Sequence, residues 1–197
     1  MRSSPAATIQ GEAERLSRFV ANLLDMTRLE AGALAPKREP SDIAEIIGAA
    51  VHRVKALLTG FRAEYEIAPD LPLVEVDVLL MEQVLINLLD NAAKYAPPGS
   101  TIVLAADRQG DKLRLRLIDE GPGIPEDRLE KIFDKFHRAD HADRQRAGTG
   151  LGLAICRGFV RAMGGTIGAA NRTDRSGAIF TVLLPASSAS VAAEAGE

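Results

Sequence analysis

The 197-residue chain carries 24 Lys and Arg against 27 Asp and Glu, a formal net charge of −3, with 46% hydrophobic and 26% charged residues. This is the balance of an ordinary globular chain, one domain or one domain with an appendage. It excludes a nucleic-acid binder held by basic charge, and the single cysteine, Cys156, excludes an internal disulfide framework or a cysteine-based metal site. No apolar run reaches the roughly 18 residues that span a bilayer. The opening Met1-Arg2-Ser3-Ser4-Pro5 lacks the apolar stretch of a secretory signal. The expected location is therefore cytoplasmic, without membrane contact by these residues. With aromatics at 4% and no Trp, the core must be aliphatic.

Residues 12–31 read as one amphipathic helix, with Leu16, Phe19, Leu23 and Met26 at spacings of three and four and Gly32 as its C-terminal cap. Its stripe needs a partner helix. Pro36 and Pro40 mark a linker over 35–40. Ser41 is the expected N-cap of a second helix reaching Leu58, with Asp42 and Glu45 in its first turn. Short strands follow at 62–68 and 73–76. A strong helix over 78–95 is ended by Pro97-Pro98-Gly99. Residues 101–107 and 112–119 read as strands around the turn Gln109-Gly110-Asp111. In the second, Leu113, Leu115 and Leu117 alternate with Arg114 and Arg116. A short helical pattern covers 126–136. Residues 138–147 are charged and poor in large apolar groups, which predicts a mobile segment. A helix over 150–163 ends at Gly164-Gly165, and strands at 166–171 and 178–184 close the pattern. A Ser/Ala-rich tail over 186–197 is expected to be disordered. The predicted fold is α/β: a two-layer sandwich of a mixed sheet with helices on one face, preceded by a single amphipathic helix. Strands and helices do not alternate regularly, which disfavours a doubly wound sheet.

Three segments carry chemistry. On the 78–95 helix, Asn87, Asn91, Lys94 and Tyr95 share one face, opposite Val78, Met81, Leu85, Leu88, Leu89 and Ala92. Two amides, an ammonium and a phenol suit a polyphosphate and a hard cation, since an amide oxygen can complete a Mg²⁺ shell made of phosphate oxygens and waters. Lys94 can neutralise phosphate as a point charge. A plain solvated helix face is the competing reading. Asp119-Glu120-Gly121-Pro122-Gly123 ends a strand: its glycines admit a flat ring close to the backbone, and Asp119 can accept from an exocyclic amine such as that of adenine. Alone, the same peptide also reads as a tight turn. Gly148-Thr149-Gly150-Leu151-Gly152-Leu153 opens a helix and can turn backbone N–H groups toward an anion. Its G-x-G-x-G spacing matches neither the dinucleotide nor the P-loop pattern. Together, in this order, the three supply cation, adenine and phosphate sites.

On these motifs the chain resembles the catalytic, ATP-binding domain of two-component sensor histidine kinases, in the Bergerat-fold ATPase superfamily. The N-box runs from Glu82 through Asn87 and Asn91 to Tyr95. Asp119-Glu120-Gly121-Pro122-Gly123-Ile124 resembles the first glycine box, Ile132-Phe133-Asp134-Lys135-Phe136 the F-box, and Gly148 to Leu153 the second glycine box. The resemblance covers residues 41–185. Residues 1–34 resemble the second helix of a dimerisation domain, and residues 18–32 in particular are similar to Kdp-type potassium-sensor kinases.

The resemblance implies Mg²⁺ on Asn91, phosphate contacts from Lys94 and Arg138, and Tyr95 beside the nucleotide. It implies adenine on Asp119 in a pocket shaped by Gly121, Gly123 and Ile124. Lys135 and Phe136 would anchor a lid, and Gly148, Thr149, Gly150, Leu151, Gly152 and Leu153 would line the phosphates. Asn87 and Lys94 are the implied catalytic pair. Asn87 stands where ATP-hydrolysing relatives carry a glutamate base; an amide accepts a proton poorly at neutral pH, so water attack should be slow. The cofactors implied are ATP and Mg²⁺, and the partners are the dimerisation helix of a homodimer and a response regulator. The three histidines, His52, His137 and His141, match no phosphoacceptor motif, so the chain is expected to be part of a longer kinase. Other readings are an ATP-binding scaffold without phosphotransfer and an anti-sigma-type serine kinase, which the helix at 12–31 disfavours.

Overall fold

A computed structural model describes residues 5–137 and 149–187. A long helix α1 (Pro5–Glu30) leads into the sandwich. It begins earlier than the apolar stripe predicts and ends as expected at Gly32, whose φ of +61° suits a residue without Cβ. Leu16, Phe19, Val20, Leu23 and Leu24 stay exposed, while Met26 and Leu29 pack on the core.

The predicted linker ends in a strand. β1 (Glu39–Ser41) pairs antiparallel with β3 (Val74–Val76) in a two-stranded sheet, where Pro40 stands at an edge that tolerates a missing N–H. Ser41 is therefore a strand residue, and Asp42 caps helix α2 (Ile43–Arg53): its Oδ1 accepts from Ala44 N at 2.7 Å. A carboxylate satisfies that amide and also favours the positive helix end. The α-helix stops at Arg53 rather than Leu58, but tight turns over 54–60 still deliver Leu58 to the core.

β2 (Arg62–Ile67) pairs parallel with β4 (Thr101–Gln109). Between them, helix α3 (Val78–Tyr95) is capped by Asp77, whose Oδ1 accepts from Leu80 N at 3.2 Å. β5 (Lys112–Ile118), β6 (Thr166–Asn171) and β7 (Ala178–Pro185) complete a mixed sheet in the order β2-β4-β5-β7-β6. The predicted helical pattern at 126–136 resolves into two single 3-10 turns, Glu126–Arg128 and Lys131–Phe133. Phe133 is the one buried residue of these two turns, so no continuous apolar stripe extends them. Helix α4 (Gly152–Ala162) packs on α3 and β6. Ala186 and Ser187, predicted as tail, are held: Ala186 N donates to Asp111 O, and Ser187 N to Leu73 O.

The core lies between the sheet and α2, α3 and α4. Leu113, Leu115 and Leu117 of β5 meet Met81, Leu85, Leu88 and Leu89 of α3, all essentially inaccessible to solvent. Burying each such side chain stabilises the fold by about 1.5–3 kcal/mol. Arg114 and Arg116 point to the sheet's other face, where both bind Asp107, Arg114 in a two-pronged pair at 2.8 Å. Among the described residues no helix is long and apolar enough to cross a membrane.

Candidate functional site

The apolar stripe of α3 decides what its other side presents. With Met81, Val84, Leu85, Leu88, Leu89 and Ala92 buried, Asn87, Asn91, Lys94 and Tyr95 are left half-exposed on the sequence-predicted face. Lys94 Nζ donates to Tyr95 Oη at 2.9 Å and lies 4.6 Å from the ring centre. Asn87 Oδ1 accepts from Gln83 at 3.4 Å, while its buried Nδ2 has no hydrogen-bond partner. The Asn87 side chain also interacts with the buried Cys156 thiol. Glu82, within the same box, turns away and pairs with Arg53 of α2 at 3.2 Å.

Asp119 follows β5 and is 3% exposed. Its Oδ1 accepts from Gly121 N at 2.8 Å and Ala178 N at 3.2 Å; its Oδ2 has no such partner among the described residues. Burial pushes the carboxyl above the usual carboxylate range, partly offset by those two amides and the Arg172 charge. The loop beyond is tightly fitted. A Cβ on Gly121 would lie 2.9 Å from Asp119 Oδ1 and 3.4 Å from the Tyr95 carbonyl, so the first glycine box seats on the end of α3. Gly123 has φ +81°, and Ile124 is clamped by Asn171, which accepts from Ile124 N and donates to Ile124 O, both at 2.7 Å.

The second glycine box meets the other two motifs. Gly150, at φ +70°, lies so close to the F-box that a Cβ would sit 3.0 Å from Phe136 and His137 backbone atoms, and Phe136 N donates to Gly150 O at 2.9 Å. A Cβ on Gly152 would lie 3.9 Å from the Asn87 amide carbon. Thr149 Oγ1 accepts from Leu151 N at 3.2 Å, and the Leu151 side chain is core. Leu153 packs partly on that core. Thus Asn87, Gly150 and Gly152 come together on one side of α3, with Asp119, Gly121 and Tyr95 at its C-terminal end.

The two F-box residues expected to anchor a lid are placed as follows. The Lys135 ammonium pairs with Glu30 of α1, and Phe136 is exposed with a left-handed backbone, φ +59°. Arg138, Gly148 and the segment 138–147 lie outside the described residues. Sequence reasoning missed Asn171, Ser176 and Gly177. Ser176 Oγ donates to Gly121 O at 2.7 Å, and Gly177 at φ +146° approaches the Asp119 carbonyl so closely that a Cβ would be 2.0 Å from it. An Asn ending a strand and a Ser-Gly turn were the available signals.

Among the described residues no group of three or more His, Cys, Asp or Glu could hold a metal. Asn91, half-exposed on the polar face of α3, offers an amide oxygen, a hard donor of the kind Mg²⁺ accepts beside phosphate oxygens and waters.

A mixed sheet under three helices, with a buried strand-end carboxylate and a glycine-rich helix start across one polar helix face, defines an ATP-binding domain of the histidine kinase, gyrase and chaperone class. Residues 76–188 match the family model HATPase_c, described as histidine kinase-, DNA gyrase B-, and HSP90-like ATPase. The chain belongs to this family and carries the ATPase domain of sensor histidine kinases. It is 41% identical over 180 residues to the sensor protein KdpD of Escherichia coli (strain K12), covering 91% of this chain and 20% of that protein. It therefore spans about a fifth of the length of that relative. Among solved structures, full-length ShkA in complex with AMPPNP superimposes with a TM-score of 0.80 at 26% identity, over 93% of this chain and 38% of that one. Histidine kinase ThkA in complex with the response regulator TrrA gives 0.74 at 25% identity, over 95% and 53%.

Proposed function

We propose that the chain binds Mg²⁺-ATP and transfers the γ-phosphoryl group to a histidine on a dimerisation helix, for relay to a response regulator in the cytoplasm, with potassium or osmotic state as the signal. The observation that carries this reading is Asp119: a buried carboxylate with one oxygen tied to two backbone amides and the other left for a ligand amine. Gly121, Gly123 and Ile124 shape the ring pocket beside it, while Tyr95, Lys94 and Asn91 continue along α3 toward the phosphates. Mg²⁺, when bound on Asn91, supplies charge neutralisation across the phosphate oxygens. Gly150 and Gly152 leave their backbone free to approach those phosphates, with Gly148, Thr149, Leu151 and Leu153 completing the box; Arg138, Lys135 and Phe136 belong to the lid side. Asn87 provides no base for water, so ATP is kept for the acceptor imidazole, whose nitrogen attacks phosphorus as ADP leaves. Residues 1–34 act as the second dimerisation helix, 35–40 as the connection and 41–185 as the catalytic unit. The similarity to KdpD supports the signal, and the ThkA–TrrA complex supports the partner.

The test is base choice. Guanine places a carbonyl where adenine places its amine, so two acceptors would face each other in a desolvated site at a cost of about 1–3 kcal/mol. Calorimetric titration should show ATP preferred over GTP by about tenfold or more; equal affinities would remove Asp119 from the nucleotide site.

A further inference from the structure

The first glycine box is held by the turn between β6 and β7. Asn171 clamps Ile124, and Ser176 Oγ donates to Gly121 O. Between these two anchors the turn reads Arg172-Thr173-Asp174-Arg175, and its charges are linked. Arg172 Nε and Nη2 donate to the two carboxylate oxygens of Asp174 at 3.0 and 2.8 Å. Asp174 Oδ2 also accepts from Arg175 Nε at 3.0 Å, and Arg175 Nη1 donates to Glu120 Oε1 at 3.3 Å. Glu120 Oε2 is taken up by the Thr101 amide at 3.0 Å.

Exposure separates the two arginines. The Arg175 side chain is 60% exposed and the Arg172 side chain 14%. Exposed ion pairs contribute little, so the Arg175 links are surface pairs. Arg172 is packed instead. Its N donates to Gly177 O at 3.0 Å, and a Cβ on Gly177 would meet Arg172 Cδ at 2.6 Å and the Asp119 carbonyl oxygen at 2.0 Å. The Arg172 stem and the Asp119 backbone therefore close on the same glycine. The charged or titratable groups around this loop are Arg172, Asp174 and Arg175 on the turn, Glu120 beside it, and Lys94 and Tyr95 at the end of α3. Among the described residues, the charge that acts on Asp119 is that of Arg172, and Asp119 acts in return on Arg172.

The charge state of Asp119 decides what its free oxygen offers. Oδ1 accepts from two amides, so a proton would sit on Oδ2. A neutral carboxyl would then meet the adenine amine donor against donor, and could instead donate to a carbonyl such as guanine presents. Burial pushes Asp119 toward that neutral form, and the two amides and Arg172 oppose it. We propose that Arg172 is a positioning residue of the nucleotide site: fixed by its two-pronged pair with Asp174, its guanidinium holds Asp119 in the carboxylate form that accepts from the adenine amine. The inference rests on the reading of Asp119 as the adenine acceptor. Arg172 itself touches no substrate; it acts through Asp119, and Asp174 keeps its planar group from turning to solvent.

The experiment titrates non-hydrolysable ATP and GTP analogues into the 197-residue chain and its variants by calorimetry at pH 8 and pH 5. Ratios to the unsubstituted chain at each pH cancel the protonation of the ligand phosphates. Arg172→Met keeps an unbranched stem beside Gly177 and removes the charge. At pH 8 its affinity for the ATP analogue should fall by at most about twofold. At pH 5 the fall should be about threefold or more, with a smaller preference for ATP over GTP. Arg172→Lys, which keeps a charge, should recover most of the pH 5 affinity. In an Asp119→Asn chain, which has no such proton to gain, Arg172→Met should change neither value. If Arg172→Met fails to fold, Asp174→Asn releases the guanidinium at a position 54% exposed and should show the same acid-selective loss, smaller in size. An equal loss at both pH values, or a loss that persists in the Asp119→Asn chain, would make Arg172 a support of the turn and overturn the proposal. Affinities that follow the unsubstituted chain at both pH values would overturn it too, while a loss in Asp119→Asn alone would still uphold the adenine reading. Unchanged affinity of Asp119→Asn at pH 8 would remove both.

Discussion

Replacing Asp119 by Asn separates the carboxylate's role in the fold from its role toward adenine. Oδ1 accepts from the Gly121 and Ala178 amides at 2.8 and 3.2 Å, and an amide oxygen can accept both. The loop should therefore keep its shape. The other position changes from acceptor to donor and meets the adenine amine, donor against donor. A hydrogen bond to a charged group contributes about 1.5–3 kcal/mol, so ATP affinity should fall by between about tenfold and a hundredfold. Thermal stability should hold or rise, because the variant no longer buries a charge in a site 3% exposed. The pH behaviour gives a second reading. Burial raises the Asp119 pKa above the ordinary 3.8. Its protonation thus stabilises the folded chain below that ordinary value, and this contribution is lost as pH rises through the raised one. Nucleotide binding runs the other way, weakening as pH falls through the raised value and the acceptor is lost. Calorimetry with a non-hydrolysable ATP analogue, paired with thermal melts from pH 4 to 8, measures both. Unchanged affinity in a folded Asp119→Asn chain would refute the adenine assignment. A large loss of stability would refute the claim that the amide preserves the loop.

Other expectations follow from the same geometry. Asn91→Ala should weaken ATP binding in Mg²⁺ buffer by about tenfold and leave binding in EDTA nearly unchanged, since one metal ligand is lost; equal losses in both buffers would remove Asn91 from the metal. Gly177→Ala must displace the Asp119 carbonyl, because its Cβ would stand 2.0 Å away at φ +146°; melting should show a loss of about 2 kcal/mol or more, with ATP binding reduced alongside. The Cys156 thiol is fully buried and pushed up to about 12 by desolvation, so iodoacetamide at pH 8 should leave it unmodified until the chain is denatured. The chain alone should incorporate negligible phosphate from γ-labelled ATP. His52 lines the α2–β2 cleft and His137 buries its Nε2, whereas in-line transfer needs an acceptor roughly 3–3.5 Å from phosphorus. Acid-labile, base-stable labelling of the 197-residue chain would overturn this.

The elements were legible where local periodicity is strong. The Leu113, Leu115, Leu117 alternation required a half-buried strand, and the α3 pattern required one apolar and one polar face, so the Asn87–Asn91–Lys94 stripe and the order of the boxes could be read directly. Boundaries were less legible. Ser41 and Asp42 are both good caps, and the pairing of β1 with β3 decided between them by drawing Ser41 into a strand. What only the tertiary structure decided are partnerships between residues far apart in the chain. Asn171 clamps Ile124 from 47 positions away, Gly177 closes on Asp119 from 58, and Lys135 pairs with Glu30, 105 positions earlier. Periodicity records which way a side chain faces relative to its own element. Which distant element it then meets depends on sheet order and helix packing, and here these set the Asp119 loop and turned Lys135 toward α1.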